Sequence, residues 1–415
     1  MQLPQMAPVK QHFASDSLAD VAGEVRRQLA RAGLADSIAP GARIAVTGGS
    51  RGIANIPLIT RTVIDCVKEA GGKPFLLPAM GSHGGATAEG QKQVLASYGL
   101  DAESMGCPVE ATMDVVEVGQ LDDGTPVLLN RLATEADGVV LINRVKPHTS
   151  FRGTFESGLM KMMTIGLGSH KGATIAHAGG AESLARLIPA WGRCILDKAP
   201  ILMGLALVEN AYEETLRVEA LQPEQFQSRE PQLLDEARRA MPRIFVQGID
   251  LLLIEQIGKN ISGTGMDTNV VGRMLLPGVK EPESPGAARI VVLDLTDETH
   301  GNANGVGLAD IITRRLHERI DFKATYANVF TTTFLNRAYI PVVMATDREA
   351  IEAALSVQNL AHPEQARVVR IKNTLDIGHI HLSASLLREF GDHPDLEQTG
   401  ALAEMDFDEH GQLYR

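Results

Sequence analysis

The chain reads as α/β, with two α/β domains, mostly parallel sheets and an active-site cleft between the domains. Three observations carry that prediction. At 415 residues the chain exceeds what one ordinary hydrophobic core organises. Short apolar strands alternate with amphipathic helices, the pattern of a parallel sheet. A polar, helix-forming stretch over residues 222–242 separates two apolar regions and puts the boundary near Met241. The expected domains are residues 1–241, which carry the chemistry, and 242–415, which close over it, with the last residues free to pack back on the first domain.

Each element follows from its spacing. Leu18, Val21, Val25, Leu29 and Leu34 recur at helical intervals and predict a helix over residues 16–35. Residues 43–47 are a short apolar strand that runs into Gly48-Gly49-Ser50-Arg51-Gly52, and a helix over 57–70 closes on Gly71-Gly72. A strand at 75–78 leads to a second Gly-rich turn, Gly81-Ser82-His83-Gly84-Gly85, before a helix over 87–95. Strands at 127–130 and 138–143 continue the alternation, and the second delivers Arg144 to His148 at its end. In open α/β sheets ligands bind outside the carboxyl ends of the strands, so Arg51, His83 and His148 are expected to converge there. The second half opens with a strand at 249–255 and a polar loop at 258–269. A strand at 289–295, a loop through His300, Asn302 and Asn304, and a helix over 307–319 follow.

Composition excludes several classes. The formal net charge is −12 and aromatics are 4%, a poor basis for binding a phosphate backbone or stacking bases, so no nucleic-acid partner is expected. The three cysteines, Cys66, Cys107 and Cys194, lack paired C-x-x-C spacing, which argues against a thiolate zinc site or an iron–sulfur cluster. The N-terminus has no signal-peptide pattern and no apolar run approaches the roughly 20 residues of a membrane helix. A cytoplasmic protein acting on a small molecule, with no membrane partner and homo-oligomerisation left open, is the expectation.

Chemistry concentrates in residues 145–180, where His148, Lys161, His170 and His177 share a Gly-rich segment whose one acidic residue is Glu156. Imidazole shuttles protons near neutral pH or binds a transition metal, and a lysine amine holds an anion or links covalently to a cofactor. Each motif also has a plain reading. Gly48 to Gly52 offers backbone N–H groups and a guanidinium to an anion, yet it lacks dinucleotide and P-loop spacing and fits a simple tight turn. His83 among glycines reads as a reachable base or as an exposed loop residue. Lys161 among Leu159, Met160, Met162 and Met163 is either a desolvated amine or a lysine that snorkels to water. His170 and His177, seven residues apart, do not have a familiar ligand-pair spacing.

Taken in order, these segments resemble the nickel-dependent lactate racemase family. The strand-end arginine turn around Arg51, the Gly81-Ser82-His83 segment, Pro147-His148 followed by a Gly-rich loop and Lys161, and His177 sixteen residues beyond the lysine carry the likeness over most of the chain. The resemblance implies a racemase or epimerase, an isomerase that inverts Cα of a 2-hydroxy acid by reversible hydride transfer. Its cofactor would be a nickel-pincer nucleotide, the pyridinium-3-thioamide-5-thiocarboxylic acid mononucleotide with nickel, supplied by cofactor-synthesis proteins. By position, His83 and His148 would be the acid/base pair, Lys161 the covalent tether, and His177 the metal ligand. Gly48, Gly49 and Ser50 would cradle the cofactor, while Arg51, Lys259, Asp267 and Asn269 would hold the substrate.

Gly-Gly-Ser-Arg-Gly-Ile replaces the acidic and Thr-Arg-Pro-type residues that the family carries around the strand-end arginine. Phe155-Glu156 also stands where the lactate enzyme has part of a Gly-rich run. An aromatic, dicarboxylic or sugar hydroxy acid therefore competes with lactate as substrate. The rival from another class is a homologue that binds a nucleotide or metal without isomerising anything.

Overall fold

Among the described residues fifteen short strands, most of them apolar, divide between two separately packed units. The computed structural model describes residues 1–49, 52–282 and 284–414. The strands are β1 (Met6–Gln11), β2 (Arg43–Gly48), β3 (Lys73–Pro78), β4 (Val115–Gln120), β5 (Pro126–Asn130), β6 (Gly138–Arg144), β7 (Ile201–Glu209) and β8 (Thr215–Leu221). They continue with β9 (Leu251–Ile257), β10 (Arg289–Leu295), β11 (Ile311–Thr313), β12 (Val342–Met344), β13 (Val368–Ile371), β14 (His379–Ser383) and β15 (Leu396–Gln398).

The N-terminal unit spans Ala14–Met241. Its sheet has the order β3-β2-β6-β7-β8, parallel except for β8, which returns antiparallel to β7. β2, β3 and β6 are almost wholly buried, as strands covered on both faces must be. The helix Val21–Arg31 is started by Asp20, whose carboxylate accepts the Gly23 N–H at 2.8 Å, and it buries Val21, Val25 and Leu29. The helix Ile56–Glu69 takes Pro57 in its first turn and sets Ile59, Val63, Ile64 and Val67 against Val46 and Leu76 of the sheet core.

The strand expected at 127–130 exists but does not extend the parallel sheet. β5 instead pairs antiparallel with β4 in a two-stranded ribbon. The turn 121–125 between them closes by Leu121 N–H to Thr125 C=O at 2.9 Å, so local hairpin closure wins over addition to the sheet.

The C-terminal unit is Pro242–Arg415 together with Met1–Phe13, a correction to the expected first domain of 1–241. Its sheet has the order β12-β11-β10-β9-β13-β14-β1-β15. The first five strands are parallel, and β14, β1 and β15 alternate in direction after them. β1 is drawn in because Ala7, Val9 and Gln11 point to one buried face. Gln11 is fully enclosed, with Nε2 donating to Ile377 C=O at 2.7 Å and Oε1 accepting from Phe245 N–H at 3.0 Å. The acidic tail also stays with this unit. Leu413 is buried and its N–H donates to Asp347 Oδ2 at 3.0 Å, and Ala403 bridges Met6.

The helix expected over 307–319 is interrupted. A 3₁₀ turn at Val306–Leu308 gives way to β11, and only Arg314–Glu318 is helical. Ile311, Ile312 and Thr313 are β-branched and slot beside β10, which a helix would have denied them. Among the described residues no helix is long and apolar enough to cross a membrane.

Because β1 is paired on both sides, removing residues 1–13 should leave β14 and β15 with exposed edges. Limited proteolysis of that truncation should release a protected fragment of residues 14–241 and digest the remainder. Equal resistance of residues 242–414 would contradict this placement of β1.

Candidate active site

β2, β3 and β6 run parallel, so the turns that follow Gly48, Pro78 and Arg144 leave from one edge of the sheet. Ala79 N–H donates to Gly48 C=O at 2.8 Å and ties the first two turns together. The Thr47 hydroxyl contacts Met162 Sδ at 3.0 Å and accepts the Ile142 N–H at 3.0 Å, which brings in the chain beyond β6. The segment 145–180 lies across this edge.

That segment is built in steps. Lys146 and Ser157 exchange both backbone hydrogen bonds at 3.1 Å, closing residues 147–156 into a loop that carries His148. One helical turn, Leu159–Lys161, follows, then a π-helical turn over Met162–Gly166, then the helix Ser169–His177. Gly81 N–H donates to Gly166 C=O at 3.1 Å, so the turn bearing His83 rests on the turn that follows Lys161. A Cβ at Gly81 would also meet Ala173 of the helix that ends in His177.

Four predicted residues thus come from loops gathered on one edge. His83 is exposed, at the start of the Gly84–Ala86 turn. His148 is half-buried. Its Nδ1 accepts the Ser150 N–H at 3.0 Å, which leaves the neutral ring's proton on Nε2, and Phe151 lies 4.5 Å away, centroid to centroid. Lys161 is half-buried and not snorkelling from a long amphipathic helix, since only one α-helical turn carries it. His177 closes its helix with Nδ1 2.6 Å from Ala173 C=O, so that nitrogen is the donor and Nε2 keeps its lone pair. Burial holds the His177 pKa below its ordinary value; the Ala173 carbonyl opposes that shift and the nearby Lys161 charge adds to it. A lowered pKa favours the neutral imidazole, the form in which the ring can bind a metal.

Ser50 and Arg51 lie outside the described residues. A Cβ at Gly48 would meet Leu95 Cδ2 at 2.8 Å, and one at Gly49 would approach Met162 Cε at 3.6 Å. Lys259, Asp267 and Asn269 belong to the C-terminal unit. There Lys259 Nζ donates to Gly263 C=O and Asn328 Oδ1, both at 2.8 Å. Asp267 caps a short helix by accepting Asn269 N–H at 2.9 Å and Asn269 Nδ2 at 2.8 Å. His170 is exposed on its helix. Among the described residues no cluster of three or more His, Cys, Asp or Glu could hold a metal.

The comparisons with known proteins fit this arrangement. Residues 13–185, the part that carries every described motif from Gly48 to His177, match the lactate racemase N-terminal domain family. The N-terminal unit belongs to that family. The fold of the whole chain resembles the lactate racemase apoprotein from Thermoanaerobacterium thermosaccharolyticum at a TM-score of 0.54 and 13% identity, over 89% of this chain and 99% of that one. It also resembles a Thermotoga maritima protein solved by structural genomics, at a TM-score of 0.52 and 16% identity, over 68% and 72% of the two chains. No curated protein sequence matches the chain.

Within this lactate racemase domain, three carboxylates that sequence reasoning did not single out as site residues hold the chemical loops from behind. Glu156 is enclosed. It accepts the His148 N–H at 2.6 Å and pairs with Arg238 at 2.7 Å and Arg152 at 3.5 Å. Glu209, paired with Arg144, accepts the Ala54 N–H at 2.7 Å and fixes the end of the first Gly-rich turn. Glu230 accepts the Met160 N–H at 3.1 Å, directly behind Lys161, and its Oε1 has no hydrogen-bond partner. Glu230 left a signal in the sequence, because it sits on the buried stripe Phe226, Glu230, Leu233, Leu234, Ala237 of its helix.

Burial pushes the Glu230 carboxyl up to about 8, with the Met160 and Leu159 N–H groups opposing. The folded chain thus keeps a proton that the unfolded chain loses near the ordinary value of 4.5. Stability should be full below that value and fall as pH rises towards 8, by up to about 1.4 kcal/mol per pH unit. Glu230→Gln should flatten this slope in chemical-denaturation curves recorded between pH 5 and 8. An unchanged slope would place the carboxyl in its ionised form.

Proposed function

We propose that the chain is a racemase or epimerase that inverts Cα of a 2-hydroxy acid with a nickel-pincer nucleotide. The observation that carries this reading is the nearness of Lys161 to His177, whose Nδ1 is turned to the Ala173 carbonyl, behind a turn that also supports the His83 loop. Those residues suit such a cofactor: the Lys161 amine would hold its carboxyl-derived group, and His177 Nε2 would supply a protein nitrogen to the metal. When bound, the group supplies an acceptor for the Cα hydrogen as hydride, a route that avoids ionising a weakly acidic C–H.

The chain's own residues then move the hydroxyl proton. A neutral histidine on one face of the substrate removes it as the carbonyl of a 2-keto acid forms, and a histidine on the other face that starts as imidazolium gives its own proton to that oxygen after the keto acid has turned over, so the two exchange protonation states. His83, exposed at its turn, and His148, held by Glu156 and Phe151, are the proposed pair. In the conformation described, His148 offers Nε2–H to the substrate oxygen. Acting as base requires its Ser150 contact to open, so that the ring can carry both protons. Gly48, Gly49 and Ser50 are proposed to line the cofactor, with Arg51, Lys259, Asp267 and Asn269 contacting substrate. The cofactor-synthesis proteins are the proposed partners, and the cytoplasm the proposed compartment.

With chain produced alongside the cofactor-synthesis enzymes, a chiral assay over a panel of 2-hydroxy acids should show interconversion of at least one pair. His83→Ala and His148→Ala should each lower turnover by about 10²-fold or more while nickel content is kept. Either variant turning over at the wild-type rate would end the two-histidine assignment. His177→Ala should lose nickel by metal analysis. Denatured Lys161→Ala should release its nucleotide on gel filtration where the wild type retains it. A wild type that binds nickel and isomerises no acid on the panel would favour the non-catalytic binder.

A further inference from the structure

The C-terminal unit carries a surface that its own fold leaves uncovered. Of the 17 exposed large apolar side chains among the described residues, eight fall within residues 322–343. Phe322, Tyr326 and Phe330 stand four residues apart on the helix Phe322–Thr332, with successive ring centroids 5.7 and 6.3 Å apart. The opposite side of that helix faces the unit, through Thr325, which accepts the Ala303 N–H at 3.0 Å, and Asn328, which accepts from Lys259. Beyond it come Leu335, Tyr339, Ile340, Val342 and Val343, the last two on β12 at the open end of the eight-stranded sheet. Phe330, Tyr339 and Val342 are 67%, 66% and 61% exposed, where most apolar side chains of the unit are enclosed.

We propose that this face is a two-fold interface with a second copy of the chain. Three properties select that occupant. First, with about 200 Å² for an aromatic side chain and somewhat less for an aliphatic one, the exposed fractions of the eight residues amount to roughly 700 Å², close to the roughly 800 Å² each side of a standard interface buries. Second, residues 322–343 contain no Asp or Glu in a chain of net charge −12, so two like-charged copies can meet here without burying a carboxylate. The single exposed cation, Lys323, gives an anionic lipid surface little to hold against that net charge. Third, β12 has one neighbour, and an edge strand beside a regular aromatic stripe is self-complementary: an isologous contact pairs edge with edge and packs stripe on stripe.

Sedimentation of the full chain between about 1 and 100 µM tests this, independently of any catalytic reading. The wild type should sediment at twice 44.5 kDa. Phe330→Glu and Tyr339→Glu, separately and together, should weaken the dimer by about 100-fold or more, with the far-UV circular dichroism of the folded chain unchanged because both side chains are exposed. Leu58→Glu, an equally exposed apolar site on the N-terminal unit, should leave the dimer intact. A wild type that stays at 44.5 kDa throughout, or a dimer that persists in both single variants and in the double variant, would overturn the proposal, as would dissociation by Leu58→Glu.

Discussion

The site depends on how closely main chain can approach main chain at the carboxyl edge of the first sheet. The turn after Lys161 touches the strand ends through atoms with no room for a side chain between them. A Cβ on Gly166 would lie 2.6 Å from the Ala79 carbonyl oxygen. Gly81 meets the same turn from the other side with φ +60, a conformation that also favours glycine. The π-helical turn Met162–Gly166 is the geometry that lets this short stretch pass under the His83 loop and still deliver Ser169–His177 as a regular helix. Close packing of this kind makes the relative positions of loops 80–85, 145–161 and 169–177 one property of the fold.

Buried carboxylates do the rest. Glu156, Glu209 and Glu230 each accept a backbone N–H of a loop that carries predicted chemistry, from 8, 155 and 70 residues away in the chain. A carboxylate that satisfies a main-chain donor fixes backbone and leaves the neighbouring side chain to face outward. Glu156, which pairs with Arg152 and Arg238, and Glu209, which pairs with Arg144, differ from Glu230, which pairs with no cation among the described residues and whose carboxyl burial pushes up to about 8. Glu230 is thus a proton-carrying clamp behind Met160.

Local rules made much of the first unit legible. Strands 43–47, 75–78 and 138–143 and the helix over 57–70 lie within a residue or two of the structure, because each has a Gly-rich or proline boundary and an unambiguous apolar period. What was hidden depends on partners distant in sequence. Nothing near β5 announces that β4 will claim it, and nothing in residues 6–11 announces that β14 and β15, nearly 400 residues later, will enclose them. The break at 306–314 was misread because Ile311 and Ile312 satisfy a helical period as well as a strand; the neighbouring β10 decides between them. At the site, the histidines and Lys161 were visible as types out of place among glycines and apolar residues. Their supports were not, since Glu156 and Glu209 look like ordinary surface carboxylates until the fold encloses them.

This division of labour also sets the field at the site. The whole chain is acidic, yet the substrate proposed above is an anion. Within residues 145–180 the only carboxylate is Glu156, against Lys146, Arg152, Lys161 and Lys171. Glu156 is withdrawn from solvent and neutralised by two guanidinium groups, so the negative charge of that segment is spent on holding the His148 backbone. The edge consequently carries more cations than carboxylates beside its imidazoles. An anion nearing it is attracted over the last Debye length, about 8 Å at physiological salt, despite the sign of the distant charge, which solvent ions screen.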